Sequence, residues 1–205
     1  IRRFIQSGKL IDVGAGTGMF MKTARGYGFE VEGLELSVDA AALGTATWGL
    51  NIKQGNLHES SLPLDCYDVV SLGHVLEHLH APAEALRQLH GILKEGGLLV
   101  IAVPNAGSFQ ARLFRSHWFH LDVPRHLYHF SPACLKSLVE NAGFRIANIN
   151  FSLREHNWAG ILGSVMKLSR PGESLPHKFV RKVFGVPATK GLAFLEAAVG
   201  RGGTF

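Results

Sequence analysis

An acidic residue followed by three glycines at alternate positions is the first group whose types and spacing could serve chemistry. Asp12 precedes Gly14, Gly16 and Gly18 at the end of an apolar run. Glycines let the backbone turn sharply and let a ligand approach where a Cβ would collide. A helix starting next, over residues 19–26, would offer its unpaired N–H groups to the polar end of a ligand. The spacing therefore predicts a strand, a tight turn and a helix that together bind a nucleotide-like ligand.

A second carboxylate, Glu35, ends a predicted strand over residues 29–35 and lies 21 residues after Gly14. A carboxylate at that place can accept hydrogen bonds from both hydroxyls of a ribose. The glycine spacing differs from the G-x-G-x-x-G pattern of dinucleotide-binding turns, because Met19 stands where the last glycine is required. An NAD-dependent oxidoreductase is therefore disfavoured. An ordinary turn with a capping Asp and a solvent-exposed Glu are the plain alternatives.

The motifs of residues 10–105, taken in order, resemble class I S-adenosylmethionine-dependent methyltransferases. Val-Leu-Glu-His-Leu at residues 75–79 and Leu-Lys-Glu-Gly-Gly at residues 93–97 are similar to the fourth and fifth segments of that family. The resemblance implies S-adenosylmethionine as the cofactor and S-adenosylhomocysteine as the product. It also implies that Asp12 helps to hold the amino-acid part of the cofactor and that Glu35 binds its ribose.

The same resemblance implies further cofactor contacts on loops that follow the strands. Asn56 stands where the family usually has an Asp that accepts from the adenine amino group, and an amide oxygen can still accept there. The contacts implied beyond the two carboxylates are Gly14, Ala15, Gly16, Gly18, Leu36, Asn56, Leu57, Gly73 and His74.

A stretch rich in polar and aromatic residues, 106–130, has no convincing regular period. Because it stands between a predicted strand and a predicted helix, it is well placed to form a substrate pocket or lid. The run over residues 124–132 resembles methyltransferases related to the ubiquinone-biosynthesis O-methyltransferases. Within this stretch, we expect Trp118, Arg125 and His129 to contact the substrate.

Two histidines are the candidates for acid–base work. Methyl transfer is an in-line displacement in which the protein holds an acceptor against the methyl group. A hydroxyl acceptor benefits from a general base, for which His is best suited near neutral pH. His78 and His126 are the catalytic candidates, with a structural or substrate-lining role as the alternative. Arg125 could bind a carboxylate or phosphate with its planar guanidinium, and an ion pair with Asp122 is the alternative. The sequence predicts methylation of a small-molecule or lipid- or sugar-linked acceptor, with O-methylation favoured.

His74, Glu77 and His78 offer another interpretation, because they follow an H-x-x-E-H spacing. They resemble the metal-binding segment of methyltransferases that modify the 3′ ends of small RNAs, and His126 could join them. Such a ligand set would suit a transition metal. The Glu-His pair also occurs in relatives that need no metal, and we expect none here. A neutral core without a recognisable RNA-binding module argues against nucleic acid as a partner. A cofactor-binding scaffold without catalysis is the remaining alternative.

Alternating strands and helices must position these residues. Periodicity predicts further strands over residues 51–54, 66–72, 98–103 and 145–151, and helices over residues 37–50, 83–93 and 131–141. Such alternation predicts a Rossmann-like α/β fold, in which a mostly parallel sheet carries helices on both faces. The family resemblance implies seven strands, the last one antiparallel and left incomplete at residues 202–205. The ligand is expected at the carboxyl ends of the strands.

Composition places the chain among globular proteins. It has 205 residues, of which 46% are hydrophobic, and no apolar run approaches the roughly 20 residues of a membrane span. Its two cysteines show neither metal nor disulfide spacing, which indicates a cytoplasmic protein. Because the chain begins at Ile1 without Met and ends abruptly, we expect it to be a piece of a longer protein.

Charge divides the chain unevenly. Residues 1–150 hold 13 Lys+Arg and 13 Asp+Glu, whereas residues 151–205 hold 8 and 3. We expect a cofactor-binding core over residues 1–151, with residues 106–130 as its lid insertion. A basic extension over residues 152–205 would follow, with helices over residues 159–167, 178–184 and 190–199. This extension could contact an anionic partner such as a phosphate or a membrane surface, and a solvated helical face is the alternative.

Overall fold

The computed structural model describes residues 1–151 and 155–168. The chain divides into two compact units. The first comprises Ile1–Ala102 and Val139–Phe144, and the second comprises Val103–Leu138 and the residues from Arg145 onward. Every strand of the described residues lies in the first unit.

A parallel sheet of five strands forms the first unit, in the order β3-β2-β1-β4-β5. Its strands are β1 (Gly8–Val13), β2 (Phe29–Glu35), β3 (Asn51–Gln54), β4 (Tyr67–Gly73) and β5 (Leu93–Ala102). The strand order reverses between β1 and β4, and ligands of open α/β sheets bind outside the carboxyl ends of the strands at such a point. The predicted Rossmann-like topology is confirmed for these five strands.

Three helices connect the strands: α1 (Met19–Gly26), α2 (Val38–Trp48) and α3 (Pro82–Ile92). The chain moves from β1 to β3 in one direction along the sheet and from β4 to β5 in the other. Because crossovers between parallel strands are right-handed, α1 and α2 lie on one face and α3 lies on the opposite face.

The central strands are apolar on both faces, as expected for a parallel sheet covered on both sides. Leu10 and Val69 are fully buried partners in register, and they pack with Ala24 of α1 and Phe29 of β2. A second cluster joins α1 to α2 through Met21. The apolar sequences of β1 and β4 thus form a core in which the buried polar residues Asp12 and Ser71 are exceptions.

Two of the helix starts differ in their capping. The Ser37 side chain accepts the Ala40 N–H at 3.2 Å and caps α2, and Gly49 ends that helix in the left-handed conformation. This confirms the predicted start of α2. Gly18 precedes α1 without any side-chain cap. The first N–H groups of α1 are therefore left for water or a ligand.

The stretch that follows β5 contains short helices that its sequence does not predict. Helix α4 (Phe109–Phe114) is followed by short 3-10 helices over Arg115–His117 and Phe119–Leu121. Ser108 caps α4 by accepting the Ala111 N–H at 3.1 Å. Residues 106–130 show no convincing regular period in sequence, yet part of this stretch is helical and packs against a helix that is distant in sequence. That helix is α6 (Glu155–Leu168), and α5 (Pro132–Asn141) matches its prediction.

Two other predicted elements differ from the structure. The sixth strand predicted over residues 145–151 is not found, and Ile146 and Ile149 of its alternating pattern are exposed. The strand predicted over residues 98–103 begins earlier, at Leu93, directly after α3 ends at Ile92. The pairing of β5 with β4 is irregular over residues 94–97, because Tyr67 pairs with Leu93 and Val69 pairs with Leu98. Gly96, within this irregular part, has a φ of 74°.

The remaining predicted elements, helices over residues 178–184 and 190–199 and a strand from residue 202, lie outside the described residues. In the described part of the chain, no helix has both the length and the apolar character that a membrane crossing requires.

Candidate active site

The glycine turn after β1 has the backbone geometry that only glycine adopts easily. Gly14, Gly16 and Gly18 have φ values of 75°, 53° and 76°. A Cβ on Gly14 would lie 2.3 Å from Val75 Cγ2, and one on Gly18 would lie 2.4 Å from Leu50 Cδ1. At Gly16 a Cβ would meet no atom within 4 Å. The turn is therefore packed at its two ends and open in its middle, where a ligand could approach.

Glu35 holds this turn from the end of β2. Its Oε2 accepts the Gly16 N–H at 2.7 Å, and its Oε1 accepts the Ser37 N–H at 2.8 Å. Each carboxylate oxygen can accept more than one hydrogen bond. Glu35 can therefore bind a ligand hydroxyl while it keeps both backbone contacts.

Asp12 is a buried carboxylate at the end of β1, with 5% of its surface exposed. The Ser71 hydroxyl donates a hydrogen bond of 2.6 Å to its Oδ1. The pKa of Asp12 is raised to about 6, because burial, together with the negative charge of Glu35, outweighs the Ser71 hydrogen bond, which lowers it. Asp12 can therefore change its charge just below neutral pH, which is unusual for an aspartate.

The sequence prediction did not single out Ser71. The signal available was a hydroxyl in the middle of the apolar strand β4, between Val70 and Leu72. In the sheet, Ser71 lies in register with Asp12. Because neighbouring residues in register point to the same face of a sheet, the pair follows directly from that alignment.

A polar loop follows β4 at the same edge of the sheet. His74 adopts a left-handed conformation with φ 57°, and its N–H donates to Ala102 O at 2.8 Å. Its Nδ1 lies 3.3 Å from Oε1 of Glu77, whose side chain is 1% exposed. The second Glu77 oxygen is buried and has no hydrogen-bond partner among the described residues. His78 follows in a 3-10 helix and is half-buried.

The predicted adenine side of the site offers mixed surfaces. Leu36 is 69% exposed, so its side chain presents apolar surface for a ligand. Leu57 is buried in the core, so its side chain offers very little. Asn56 Oδ1 already accepts the His58 N–H at 3.2 Å. Its amide oxygen has a second lone pair, which is the one that an adenine amino group would use.

Trp118, expected to contact the substrate, belongs to the core of the second unit. It is 3% exposed and packs with Phe114, Ile161 and Val165. A substrate could reach its ring only if these neighbours moved. Its sequence surroundings gave no hint of this, because Ile161 and Val165, which help to cover it, come from α6.

Arg125 pairs with Asp122, which was the alternative to a substrate-binding role. Its Nε lies 2.9 Å from Asp122 Oδ2, and the Arg125 hydrogen bond lowers the pKa of Asp122. Three quarters of the Arg125 side chain remains exposed. A ligand carboxylate would therefore compete with Asp122 for this guanidinium.

Hydrogen bonds to backbone carbonyls assign the proton positions of two histidines. His126 Nδ1 lies 2.7 Å from His120 O, and His129 Nε2 lies 2.8 Å from Leu121 O. A carbonyl only accepts, so each of these nitrogens carries a proton. In neutral His126 the lone pair is then on Nε2, which is the nitrogen that could accept a proton from a substrate.

The structure thus gathers several predicted residues at the carboxyl edge of the first unit. There Glu35 accepts a hydrogen bond from the glycine turn, and Asp12, at the end of the strand that leads into the turn, accepts one from Ser71. Among the catalytic candidates, His78 belongs to the first unit and His126 to the second.

A family comparison fits this arrangement. The sequence model of the family described as "Methyltransferase domain" matches residues 2–149. The matched range includes the whole five-stranded sheet and both carboxylates of the turn.

Curated relatives agree with that match. A protein of Mycolicibacterium smegmatis, named "probable S-adenosylmethionine-dependent methyltransferase", is 31% identical over 100 residues, which are 47% of this chain and 36% of that protein. The ubiquinone biosynthesis O-methyltransferase of Aeromonas salmonicida is 24% identical over 155 residues, 69% of this chain and 65% of that enzyme. The chain thus spans about a third of the first relative and less than two thirds of the second.

A solved structure has a similar fold. The crystal structure of an S-adenosylmethionine-dependent methyltransferase from Archaeoglobus fulgidus superposes with a TM-score of 0.63 and 25% identity. The match covers 91% of this chain and 80% of that one.

Proposed function

We propose the activity from one premise: this chain belongs to the methyltransferase family whose domain it matches over residues 2–149. The activity is transfer of a methyl group from S-adenosylmethionine to a small-molecule acceptor, with a hydroxyl as the favoured acceptor group. The observation that carries the proposal is the glycine turn, which Glu35 holds by accepting the Gly16 N–H and which the buried carboxylate of Asp12 precedes in the chain. The named activities of the relatives, which include O-methylation, support it.

The residues at the carboxyl edge of the sheet fit the cofactor. The space beside Gly16 is open, the carboxylate of Asp12 precedes the turn in the chain, and that of Glu35 accepts the Gly16 N–H. Asp12 would hold the ammonium group of the amino-acid part, and Glu35 would accept the ribose hydroxyls. Leu36 supplies exposed apolar surface for the adenine, and Asn56 supplies an amide oxygen for its amino group.

When bound, S-adenosylmethionine supplies an electrophilic methyl group on a positively charged sulfur. The task left to the chain is to orient the acceptor and to take its proton. Neutral His126 carries its proton on Nδ1 and has its lone pair on Nε2, which lies 3.9 Å from Asp122 Oδ2. That nitrogen would accept the hydroxyl proton as the acceptor oxygen is methylated. His78 is the second candidate for this step.

Titration of the chain with S-adenosylhomocysteine tests the proposed cofactor site. Glu35→Gln should weaken binding at least about tenfold, because the loss of a charged acceptor costs roughly 1.5–3 kcal/mol. Glu32→Gln is the matched control. Glu32 is a carboxylate of the same strand, but it bonds to Tyr67 OH and Lys9. Equal weakening by both variants, or no binding by the unaltered chain, would contradict the proposal.

A further inference from the structure

A buried hydroxyl touches the carboxylate that is proposed to hold the cofactor. Ser71 and Asp12 are 4% and 5% exposed and lie in register on β4 and β1. Ser71 Oγ is 2.6 Å from Asp12 Oδ1 and 3.5 Å from Ile11 O. A hydroxyl has one proton to donate, and the shorter contact shows that the carboxylate receives it.

The surroundings of Ser71 are those of an apolar core. Val69, Val70 and Leu72, on either side of it in β4, are at most 1% exposed. A buried hydroxyl is costly unless it is hydrogen-bonded, so an alanine or valine would suit this strand better on packing grounds alone. The presence of the Ser71 hydroxyl in this apolar strand is explained by Asp12, because a buried carboxylate needs hydrogen-bond donors to stay charged.

Few charged groups act on this carboxylate. Glu35, at the end of β2, adds a like charge that disfavours ionisation of Asp12. Helix α1 has no acidic residue in its first turn. In the loop after β4, His74 and Glu77 pair with each other. The Ser71 hydroxyl is therefore the group from β4 that favours the charged form.

We propose that Ser71 is a positioning residue for cofactor binding, whose hydroxyl holds Asp12 in one orientation and keeps its carboxylate charged. This inference rests on the proposed function. Ser71 engages Oδ1, which leaves Oδ2 as the oxygen that would meet the ammonium group of the ligand. Ser71 does not itself touch the ligand.

The inference has a pH signature. Asp12 must be charged to hold an ammonium group, and its pKa is about 6. Affinity for S-adenosylhomocysteine should therefore fall as the pH drops through about 6. Removing the Ser71 hydrogen bond raises the pKa of Asp12 further, so the midpoint of this pH dependence should move up by about one pH unit. A purely structural defect would weaken binding at every pH instead.

The experiment is calorimetric titration of the full chain with S-adenosylhomocysteine between pH 5 and 8. Ser71→Ala removes the hydroxyl, and Ser71→Cys keeps the side-chain shape with only a weak donor. Both variants should shift the midpoint upward, whereas Ser71→Thr, which keeps a hydroxyl, should have the midpoint of the unaltered chain. If the alanine variant does not fold, the cysteine variant alone gives the test.

Two controls isolate the pair. Tyr67→Phe removes another hydroxyl from β4, one that donates to Glu32 at 2.8 Å, and should leave the midpoint unchanged. 5′-Methylthioadenosine has the adenine and ribose but lacks the amino-acid part. Its affinity should respond neither to Ser71→Ala nor to pH near 6.

The outcomes separate this inference from the function on which it rests. If the unaltered chain binds but Ser71→Ala and Ser71→Cys keep its midpoint, or lose affinity equally at all pH values, Ser71 is only a core residue. If the unaltered chain binds neither ligand at any pH, the proposed function itself fails. An additive effect of Ser71→Ala on Asp12→Asn would also overturn the inference, because Ser71 could then not act through Asp12.

Discussion

Asp12 illustrates at the scale of single residues how a binding site can oppose folding. Burial and the charge of Glu35 raise the pKa of this carboxyl from its ordinary 3.8 to about 6. The folded state therefore binds the proton more tightly than the unfolded state does. The stability linked to this group is present at low pH and is lost as the pH rises from about 4 to about 6.

Replacing Asp12 by asparagine should stabilise the fold at neutral pH. A difference of about two pKa units corresponds to about 3 kcal/mol, because each unit is worth about 1.4 kcal/mol. Asp12→Asn should thus raise the free energy of unfolding by up to that amount at pH 8 and by little at pH 4. Urea denaturation at both pH values measures this. A variant that is less stable at pH 8 would contradict the burial of a charge at this position.

The proposed mechanism requires His126 to accept a proton from the substrate. His126→Asn keeps an N–H near the position of Nδ1 but has no ring nitrogen to accept a proton. With a hydroxyl acceptor, turnover should fall about 10²–10⁴-fold, while affinity for S-adenosylhomocysteine stays unchanged. His117→Asn, an exposed histidine of the same unit, is the control. Full turnover in His126→Asn would transfer the role of base to His78.

Individual residues differed in how far the sequence could place them. Asp12 and Glu35 could be placed because their spacing from the glycines fixes them at strand ends. Ser71 could not, because its partner is 59 residues away and only the sheet register brings them together. Trp118 was expected at a substrate surface and lies in a core, since Ile161 and Val165, which help to cover it, are also remote in sequence.

At the scale of elements, the sequence predicted those helices and strands whose bounds depend on residues within the element itself. The bounds of α1, β2 and β3 agree with their predictions, because the turn glycines and the alternation that define them are local. The start of α2 agrees as well, because its Ser37 cap is adjacent to it. The helix at Phe109–Phe114 escaped prediction because it depends on packing with α6. The alternating residues 145–151 lack a neighbouring strand among the described residues, and an alternating pattern alone does not make a strand.

Packing between α4 and α6 should dominate the stability of the second unit. Ile161 of α6 is 1% exposed and packs with Phe114 and Trp118. Ile161→Ala should lower the free energy of unfolding by about 2–5 kcal/mol. Met166→Ala, at an exposed position of the same helix, should cost far less. Chemical denaturation followed by tryptophan fluorescence measures both, and equal small losses would contradict the packing of α6 in this unit.

At the scale of the whole molecule, the excess of positive charge lies in the last part of the sequence. The chain has a net charge of +5, and residues 169–205 hold six Lys+Arg and two Asp+Glu. To test the role of these charges, the chain should be truncated after residue 168 and not after residue 151. The longer chain keeps Ile161 and Val165 in the core of the second unit.

Truncation after residue 168 tests whether the basic extension contacts anionic surfaces. The full chain should sediment with vesicles that contain anionic lipids, and the truncated chain should do so less, because each basic residue near such a surface is worth about 1 kcal/mol. Added salt should weaken the interaction. Equal sedimentation of the two chains would assign the extension to the solvated alternative.

Glu35 ties three segments together before any ligand arrives, since it joins the end of β2 to the glycine turn and to the start of α2. A loop that is already ordered loses little conformational entropy on binding. Association should therefore resemble docking to a rigid surface, with little ordering of the turn. The amide proton of Gly16 should exchange slowly with solvent even in the absence of ligand, because the Glu35 carboxylate holds it.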